Sequence, residues 1–566
     1  MNRNKLAHFS QAPTVDIERS GFTIDHTHST TLDAGLLYPI FKMEILPGDT
    51  ITLESAELCR MATPIFPVFG NCYLDTYFFF VPNRLVFDHW KQFCGENDDS
   101  AWDDPVEYFV PHIQAPGTGF ESGSLADHFG GIPIKVGRLS VNALPFRAYN
   151  LIYNEWFRNQ NLVSPVMVSK ADTQAYDDSV RYPKPVARFR DYFSSCLPAP
   201  QKGDAVALPL SGVLPVVSMK DSFFADLGYV PSKVGGIDTS WLQLSGIGFS
   251  DEYIGLMARR SIDQVEDSNI YDLEGDDSWN GSGSSNGAFE PYNLGAIVGA
   301  GTSILASIND LRMAFAMQRV LELFARGGSR YVEMIRNFFH VIPDDASLQR
   351  PEYLGGHHIP LNISQVIQNS ATTIDGSNTP LGQVGAMSKS VNAGKLFTKS
   401  FCEHGHVIGV ACIRTDRSYQ QGLDRMWSRK SFYDFYLPQL AHISEQPVLY
   451  KEIYATGNEA EDNAVFGFQE PWVEYRTAQN IVTGGFRHNA DSGGLDAWTY
   501  ADWYSSKPYL SAEWLAEGKE NVNRTLAVQS DDATMRDTQF YLDMYFKAVS
   551  ARPLPLYSIP GLVDHF

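Results

Sequence analysis

Residues 39–84, PIFKMEILPGDTITLESAELCRMATPIFPVFGNCYLDTYFFFVPNR, decide how the chain can be arranged. From Cys72 to Val81 the side chains alternate: Cys72, Leu74, Thr76, Phe78 and Phe80 point one way, and Tyr73, Asp75, Tyr77, Phe79 and Val81 the other. That period of two predicts a strand. Ile51 to Arg60 is also extended, with Pro47, Gly48 and Asp49 before it and Pro64 and Pro67 after it as turn punctuation. The second strand carries aromatic rings on both faces and needs apolar cover on both, as in a sheet packed against another sheet or a partner subunit. A β-sandwich or barrel follows.

The chain has 566 residues and no linker that divides it clearly, so one elaborated domain over residues 1–566 is expected. Charged residues make up 19% and aromatic residues 13%, a mix suited to extensive contacts between copies. With 44 Lys and Arg against 66 Asp and Glu, the formal charge of -22 has the wrong sign for a general polyanion binder, so any nucleic-acid contact must be local. The six cysteines form no CxxC pair and sit mostly among apolar neighbours, which predicts reduced core thiols. The N-terminal residues carry no apolar signal core, and the most apolar stretch, 294–308, is too short and too rich in Gly and Ser to span a membrane. No membrane insertion is expected.

Residues 1–21 lack periodicity and read as an extended arm. A first strand is expected from Leu32, and short helices around Trp90 and through Tyr149, Ile152, Tyr153 and Trp156. Between them, an acidic loop with Asp98, Asp99, Asp103 and Asp104 reads as solvated. Residues 212–301, with WNGSGSSNG at 279–287, have the composition of a surface insertion. Helices are expected through Leu311 to Phe324 and Val332 to Phe339. The strands then resume at 407–413 and at 540–549, so barrel strands come from both ends of the chain, which fits a jelly roll better than a meander.

No chemistry-bearing motif survives inspection. GSSNG at 283–287 matches the hydrolase pattern G-x-S-x-G but lies in a Gly/Ser loop, without the strand and helix that motif requires. His26 and His28, His357 and His358, and the run Glu403, His404 and His406 could each bring two ligands together, and two ligands do not close a zinc shell. No catalytic residue, metal or cofactor is expected. Arginine and aromatic residues interleave at Arg188, Phe189 and Arg190, and again at Arg425, Trp427 and Arg429. These four arginines are candidate contacts to unpaired DNA bases or to neighbouring subunits, the latter favoured by the acidic chain.

The wording of the sequence is more specific than its composition. ATPIFPVFGNCYLDTYFFFVPNRLVFDHWKQFCGE at 62–96 closely resembles the signature of microvirus major capsid proteins, in particular the gokushovirus branch of these small icosahedral single-stranded DNA bacteriophages. HTHSTTLDAGLLYPI at 26–40, FRDYFSSCLPAPQKGDAV at 189–206, LQRPEYLGG at 348–356, YQQGLDRMWSRKSFYDFY at 419–436, HISEQPVLYKEIYA at 442–455 and the closing ARPLPLYSIPGLVDHF agree with it. The resemblance implies a mainly β fold: an eight-stranded antiparallel jelly-roll barrel with long loop insertions and several added α-helices. It implies a structural subunit, assembled in the bacterial cytoplasm as sixty copies in a T=1 shell around circular single-stranded DNA. The 212–301 insertion would form a protrusion at the threefold axes, directed at a host surface receptor. The implied partners are copies of itself, the packaged DNA, a small basic DNA-binding virion protein, a minor pilot protein and an internal scaffolding protein. The absence of a polybasic arm agrees with a separate basic protein, since Arg3, Lys5 and Arg19 are matched by Asp16, Glu18 and Asp25. The alternative reading is a β-sandwich carbohydrate-active enzyme or carbohydrate-binding module, given the many Tyr and Trp residues and ample carboxylates.

Overall fold

Two strands from opposite ends of the chain pair along their whole length: Ser20–Leu32 (β1) runs antiparallel to Phe540–Arg552 (β8), from Ser20 opposite Arg552 to Leu32 opposite Phe540. The computed structural model describes residues 19–96, 107–204, 206, 308–328, 330–369, 372–374, 377–379, 382, 384–488, 494–527 and 538–557, with short strand segments at 216–218, 257–261, 270–272, 288–291 and 294–296. Residues 1–18 of the expected arm, the acidic loop around Asp98 to Asp104, and most of 212–301, GSSNG included, lie outside the described residues. The chain divides into two compact units, residues 1–203 with 321–566, and residues 204–320.

In the first unit six further long strands are Leu36–Ile45 (β2), Thr50–Met61 (β3), Cys72–Pro82 (β4), Glu352–Pro360 (β5), Ser390–Ser400 (β6) and Gly405–Thr415 (β7). They form two sheets, ordered β1-β8-β3-β6 and β5-β4-β7-β2, with Lys184–Pro185 added at the β2 edge. Neighbouring long strands are antiparallel throughout. The protein is therefore mainly β. In the second unit the described strands are short: Met257–Ser261 pairs with Ile270–Asp272 and Ala288–Pro291, and Val216–Ser218 with Leu294–Ala296.

The core between the sheets follows from alternation. In β8 the side chains of Phe540, Leu542, Met544, Phe546 and Ala548 are buried, whereas Tyr541, Asp543, Tyr545 and Val549 are exposed. From β4, Cys72, Leu74, Phe78 and Phe80 join the same core. Phe41, Phe78 and Phe546 meet across it, with ring centroids 4.9–6.2 Å apart. Gly409 on β7 makes room for them, because a Cβ there would lie 2.5 Å from the Phe78 ring and 2.8 Å from Phe41 Cβ. Pro39, opposite Val410, sits beside an irregularity in β2 where Ile40 is the extra residue between the partners of Gly409 and Val410, a usual place for proline within a sheet.

The opposite face of β4 is covered by the same chain. Phe79 and Val81, with Ile408, Val410 and Cys412 of β7, pack against Val86, Phe87, Phe120, Leu125–Phe129 (α1) and Leu144–Ile152 (α2). Helix α2 continues into a wide turn over Tyr153–Phe157, as the helical spacing there predicts. It is anchored by Arg147, which donates to the carbonyls of Val86 at 3.0 Å and Ala171 at 2.8 Å. Two longer helices, Ile308–Gly327 (α3) and Tyr331–Phe339 (α4), also fall where the sequence places them.

The first strand begins earlier than the sequence reading places it. Residues Ser20–Leu32 pair fully with β8, so the strand expected from Leu32 is the second one, and the arm expected over 1–21 overlaps β1 at Ser20 and Gly21. All six cysteines are unpaired: Cys59, Cys72, Cys196 and Cys412 are buried, and Cys94 and Cys402 are exposed. Burial pushes the Cys59 and Cys412 thiols up to about 12, which makes them poor nucleophiles.

Phe78 is fully buried, and its replacement by Ala should destabilise the subunit by about 3–5 kcal/mol. Chemical denaturation of the purified subunit measures this. Unchanged stability would mean that this face is not core.

Candidate assembly surface

The chain leaving β7, together with the earlier segment at Tyr192 and Phe193, builds a third apolar cluster with Tyr419, Val448, Ile453 and Trp514, almost without regular structure. A buried ionic knot stands in for the missing backbone ladders. Arg188 donates to Asp502 at 3.0 Å, and Arg417 reaches Asp502 at 2.7 Å and Glu517 at 2.8 Å. Asp502 also accepts from Tyr504 Oη at 2.9 Å and Asn521 Nδ2 at 2.5 Å, while Thr415 Oγ1 donates to Glu517 at 2.8 Å. The knot joins the end of β7 to loops on both sides of it in sequence. Arg188 also lies 4.4 Å from the centre of the Trp514 ring.

This places the first of the candidate arginines. Arg188 is only 8% exposed and is committed to its own chain, whereas Arg190 two residues later is exposed and has no ion pair or hydrogen bond among the described residues. Arg425 and Arg429 are brought together by one carboxylate, Glu474, at 3.9 Å and 3.2 Å. The Arg429 guanidinium also lies 4.4 Å from the Tyr475 ring centre. The candidates thus fall in two places, not one.

Arg425 and Arg429 underlie a patch of outward apolar side chains. Trp427, Phe432 and Tyr433 are 69–72% exposed, and Met426, Phe435 and Tyr436 are exposed beside them. The segment is held from below. Asp434 accepts from the backbone N–H groups of Lys430 and Ser431 at 2.7 Å, which lowers its carboxyl pKa and fixes a tight turn at Phe432–Asp434. Tyr436 packs against Trp472 at 5.7 Å, and Trp472 Nε1 donates to the Leu440 carbonyl at 2.8 Å. A free monomer would seldom present so many adjacent large rings to water; such a patch marks a contact surface.

The histidine pairs serve packing and hydrogen bonding. His26 stacks on Phe41 with centroids 5.6 Å apart, His357 Nδ1 lies 2.9 Å from Glu57, and His358 pairs with Asp75. His406 is buried, which pushes its pKa down to about 4. Among the described residues no group of three or more His, Cys, Asp or Glu could hold a metal ion, and no helix is long and apolar enough to cross a membrane.

Comparison with known proteins places the whole chain in a family. Residues 10–562 match the family described as Capsid protein (F protein). The chain belongs to this capsid protein family. It is 39% identical to Capsid protein VP1 of Bdellovibrio phage phiMH2K, with 100% of the chain and 99% of the relative covered. It is 38% identical to Capsid protein VP1 of Chlamydia phage 1 and 37% to that of Spiroplasma virus 4, in each case over 98% of this chain and 97% of the relative. The resemblance to microvirus capsid proteins carried by the sequence blocks is borne out. The protein is a structural component of a phage virion that works by assembling in many copies, not by catalysis. The carbohydrate-active reading finds no support among these relatives.

Two measurements follow. Burial alone would raise the Asp502 carboxyl pKa, but Arg417 and Arg188 more than offset this and hold it below the usual carboxylate range. A depressed folded-state value stabilises the fold above the unfolded value of about 3.9, and that stability is lost as pH falls through it. Urea midpoints of the capsid subunit should therefore fall below about pH 4, and Asp502→Asn should remove part of that slope while costing about 3–5 kcal/mol at neutral pH. An unchanged acid slope in the variant would remove Asp502 from this role. For the patch, Trp427→Ala and Phe432→Ala should leave the subunit folded but weaken assembly by about 2 kcal/mol or more per contact. Sedimentation of assembled against free subunit reads this; normal shells from both variants would show that the patch lies outside the interfaces.

Proposed function

We propose that the two sheets form an eight-stranded jelly-roll barrel and that the subunit closes a T=1 shell of sixty copies around a circular single-stranded DNA genome. The strand order carries this reading: β1-β8-β3-β6 faces β5-β4-β7-β2, so each sheet interleaves strands from both ends of the chain, as two nested Greek keys require. The outer face of the second sheet is occupied by α1 and α2, whereas the outer face of the first presents Tyr541, Tyr545 and Val549 to solvent. Assembly would draw on the Met426 to Tyr436 patch, with Arg425 and Arg429 as its braces and Arg190 left for contacts to DNA.

In this reading the residues before β1, 1–19, serve as an arm, and residues 212–301 form an insertion on the elaborated capsid domain that protrudes at the threefold axes toward a host surface receptor. The Gly and Ser content of 212–301 supports its placement at the surface. The charge of -22 supports a separate small basic protein as the neutraliser of the genome, with a pilot protein and an internal scaffolding protein as further partners. Negative-stain microscopy of purified subunit should show uniform shells, or rings of five or three. A monomer that cleaves glycans would overturn the reading. Limited proteolysis of intact particles should cut first within 212–301, and first cuts within 39–84 would reverse the assignment of inside and outside.

A further inference from the structure

Against the outer face of the β5-β4-β7-β2 sheet lies a cavity of about 670 Å³ whose charge is opposite to that of the chain. Five arginines line it, Arg158, Arg188, Arg190, Arg330 and Arg414, against one carboxylate, Glu333. Three of the five are neutralised: Arg188 by Asp502 at 3.0 Å, Arg330 by Glu333 at 3.3 Å, and Arg414 by Asp75. Arg158 and Arg190 have no ion pair among the described residues. Arg158 donates to the Val163 carbonyl at 2.8 Å, but its buried Nε has no hydrogen-bond partner, and neither has the buried Nε of Arg188. The uncompensated charge of Arg158 and Arg190 at the cavity wall favours an anion.

The walls are aromatic as well as cationic. Phe79, Trp156 and Tyr353 form a triangle with ring centroids 5.3–5.8 Å apart, yet Trp156 remains 37% exposed and Tyr353 42% exposed. One face of Trp156 is taken by Arg350 at 4.1 Å, itself paired with Asp345. Trp156 is presented by the wide π-type turn at Tyr153–Phe157, a feature frequent at functional sites, whereas Phe79 and Tyr353 come from the neighbouring strands β4 and β5.

We propose that this cavity is a contact site for one unstacked nucleotide of single-stranded DNA, the base lying against Tyr353 and Trp156 and the phosphate against Arg190 and Arg158. The inference rests on the single-stranded genome proposed above. An acidic peptide would satisfy the charge but would leave the ring surfaces without a flat partner, whereas a nucleotide uses both. The cavity is of ordinary size for a small ligand, within about 300–1,000 Å³. With two uncompensated arginines the contact is weak and strongly screened by salt.

The test uses full-length subunit and a fluorescent short oligodeoxythymidylate in an anisotropy titration across salt concentrations. Binding should fade toward physiological salt. Arg190→Glu should weaken it about tenfold and reduce the salt slope by about 0.7, whereas Tyr353→Leu should weaken it about fivefold or more without changing the slope. Ultraviolet cross-links should map to Trp156 or Tyr353, and thymidine monophosphate should compete better than inorganic phosphate. Unchanged affinity in both variants overturns the proposal, as does an acidic peptide that competes better than the nucleotide, which would mark a protein-binding site. If these failures occur while the unmodified subunit still forms shells, the site is wrong and the capsid reading stands; if no shells form, it is the capsid reading that fails.

Discussion

Strand β4 must be dry on both faces, and much of the subunit is arranged to satisfy that requirement. Phe78 and Phe80 face the other sheet, and Phe79 and Val81 face away from it. The sheet partner alone cannot meet the demand, because it covers one face only. The chain therefore spends residues 86 to 186 in a second layer in which α1, α2 and intervening loops cover Phe79 and its neighbours on β7. That layer has few strands of its own, so it needs side-chain anchors. Arg147 supplies one, and Tyr149 another, its hydroxyl donating to the Leu37 carbonyl at 2.7 Å. Gly35 closes the β1 to β2 turn with a positive φ of 83°, where a Cβ would lie 1.8 Å from the Glu517 carbonyl oxygen.

A second constraint arises where strands end. Beyond β7 the chain folds with little hydrogen-bonded regularity, and Asp502, Glu517, Arg188 and Arg417 hold it by charge. A buried ion pair is not cheap stability, since desolvation cancels much of the Coulomb gain. Its value here is specificity: Asp502 receives four donors, one from its own segment and three from other parts of the chain, which few alternative packings could supply. The exposed aromatic patch is attached to this part of the subunit, so its rings are presented from a fixed base.

Strands β3, β4, β7 and β8 were legible because their alternation or continuous apolarity is carried by large side chains, and the helices because their apolar positions recur at helical spacing. Strand β1 was not. Its positions His26, His28 and Thr30 are polar, with His26 stacked on Phe41 and Thr30 bonded to His128, so no apolar alternation announces a strand before Leu32. Strand β5 hides for another reason: Gly355 and Gly356 sit where a Cβ would lie 2.4 Å and 1.9 Å from neighbouring carbonyl oxygens, and glycine ordinarily argues against a strand. The arginines illustrate the same limit at the level of sites. Interleaving with rings picked out Arg188, Arg190, Arg425 and Arg429, but nothing local shows that Arg188 is neutralised by a residue 314 positions away. Nor could it gather Arg158, Arg330 and Arg414, each isolated in sequence, around one cavity.

The acidity of the subunit and its apolar patch act in opposite directions. At -22, free copies repel one another, and an exposed row of rings can be tolerated in solution without indiscriminate association. Repulsion between surface charges fades over a Debye length of about 8 Å at physiological salt, whereas the gain from burying Trp427, Phe432 and Tyr433 does not. Contact is therefore favoured only where the rings meet a complementary surface closely enough to exclude water, which requires the correct neighbour in the correct orientation. Because Glu474 is already shared by Arg425 and Arg429, bringing copies together at this patch buries fewer uncompensated charges than a random collision would. The same pairing that makes these arginines poor candidates for binding phosphate makes them suitable supports for a subunit interface.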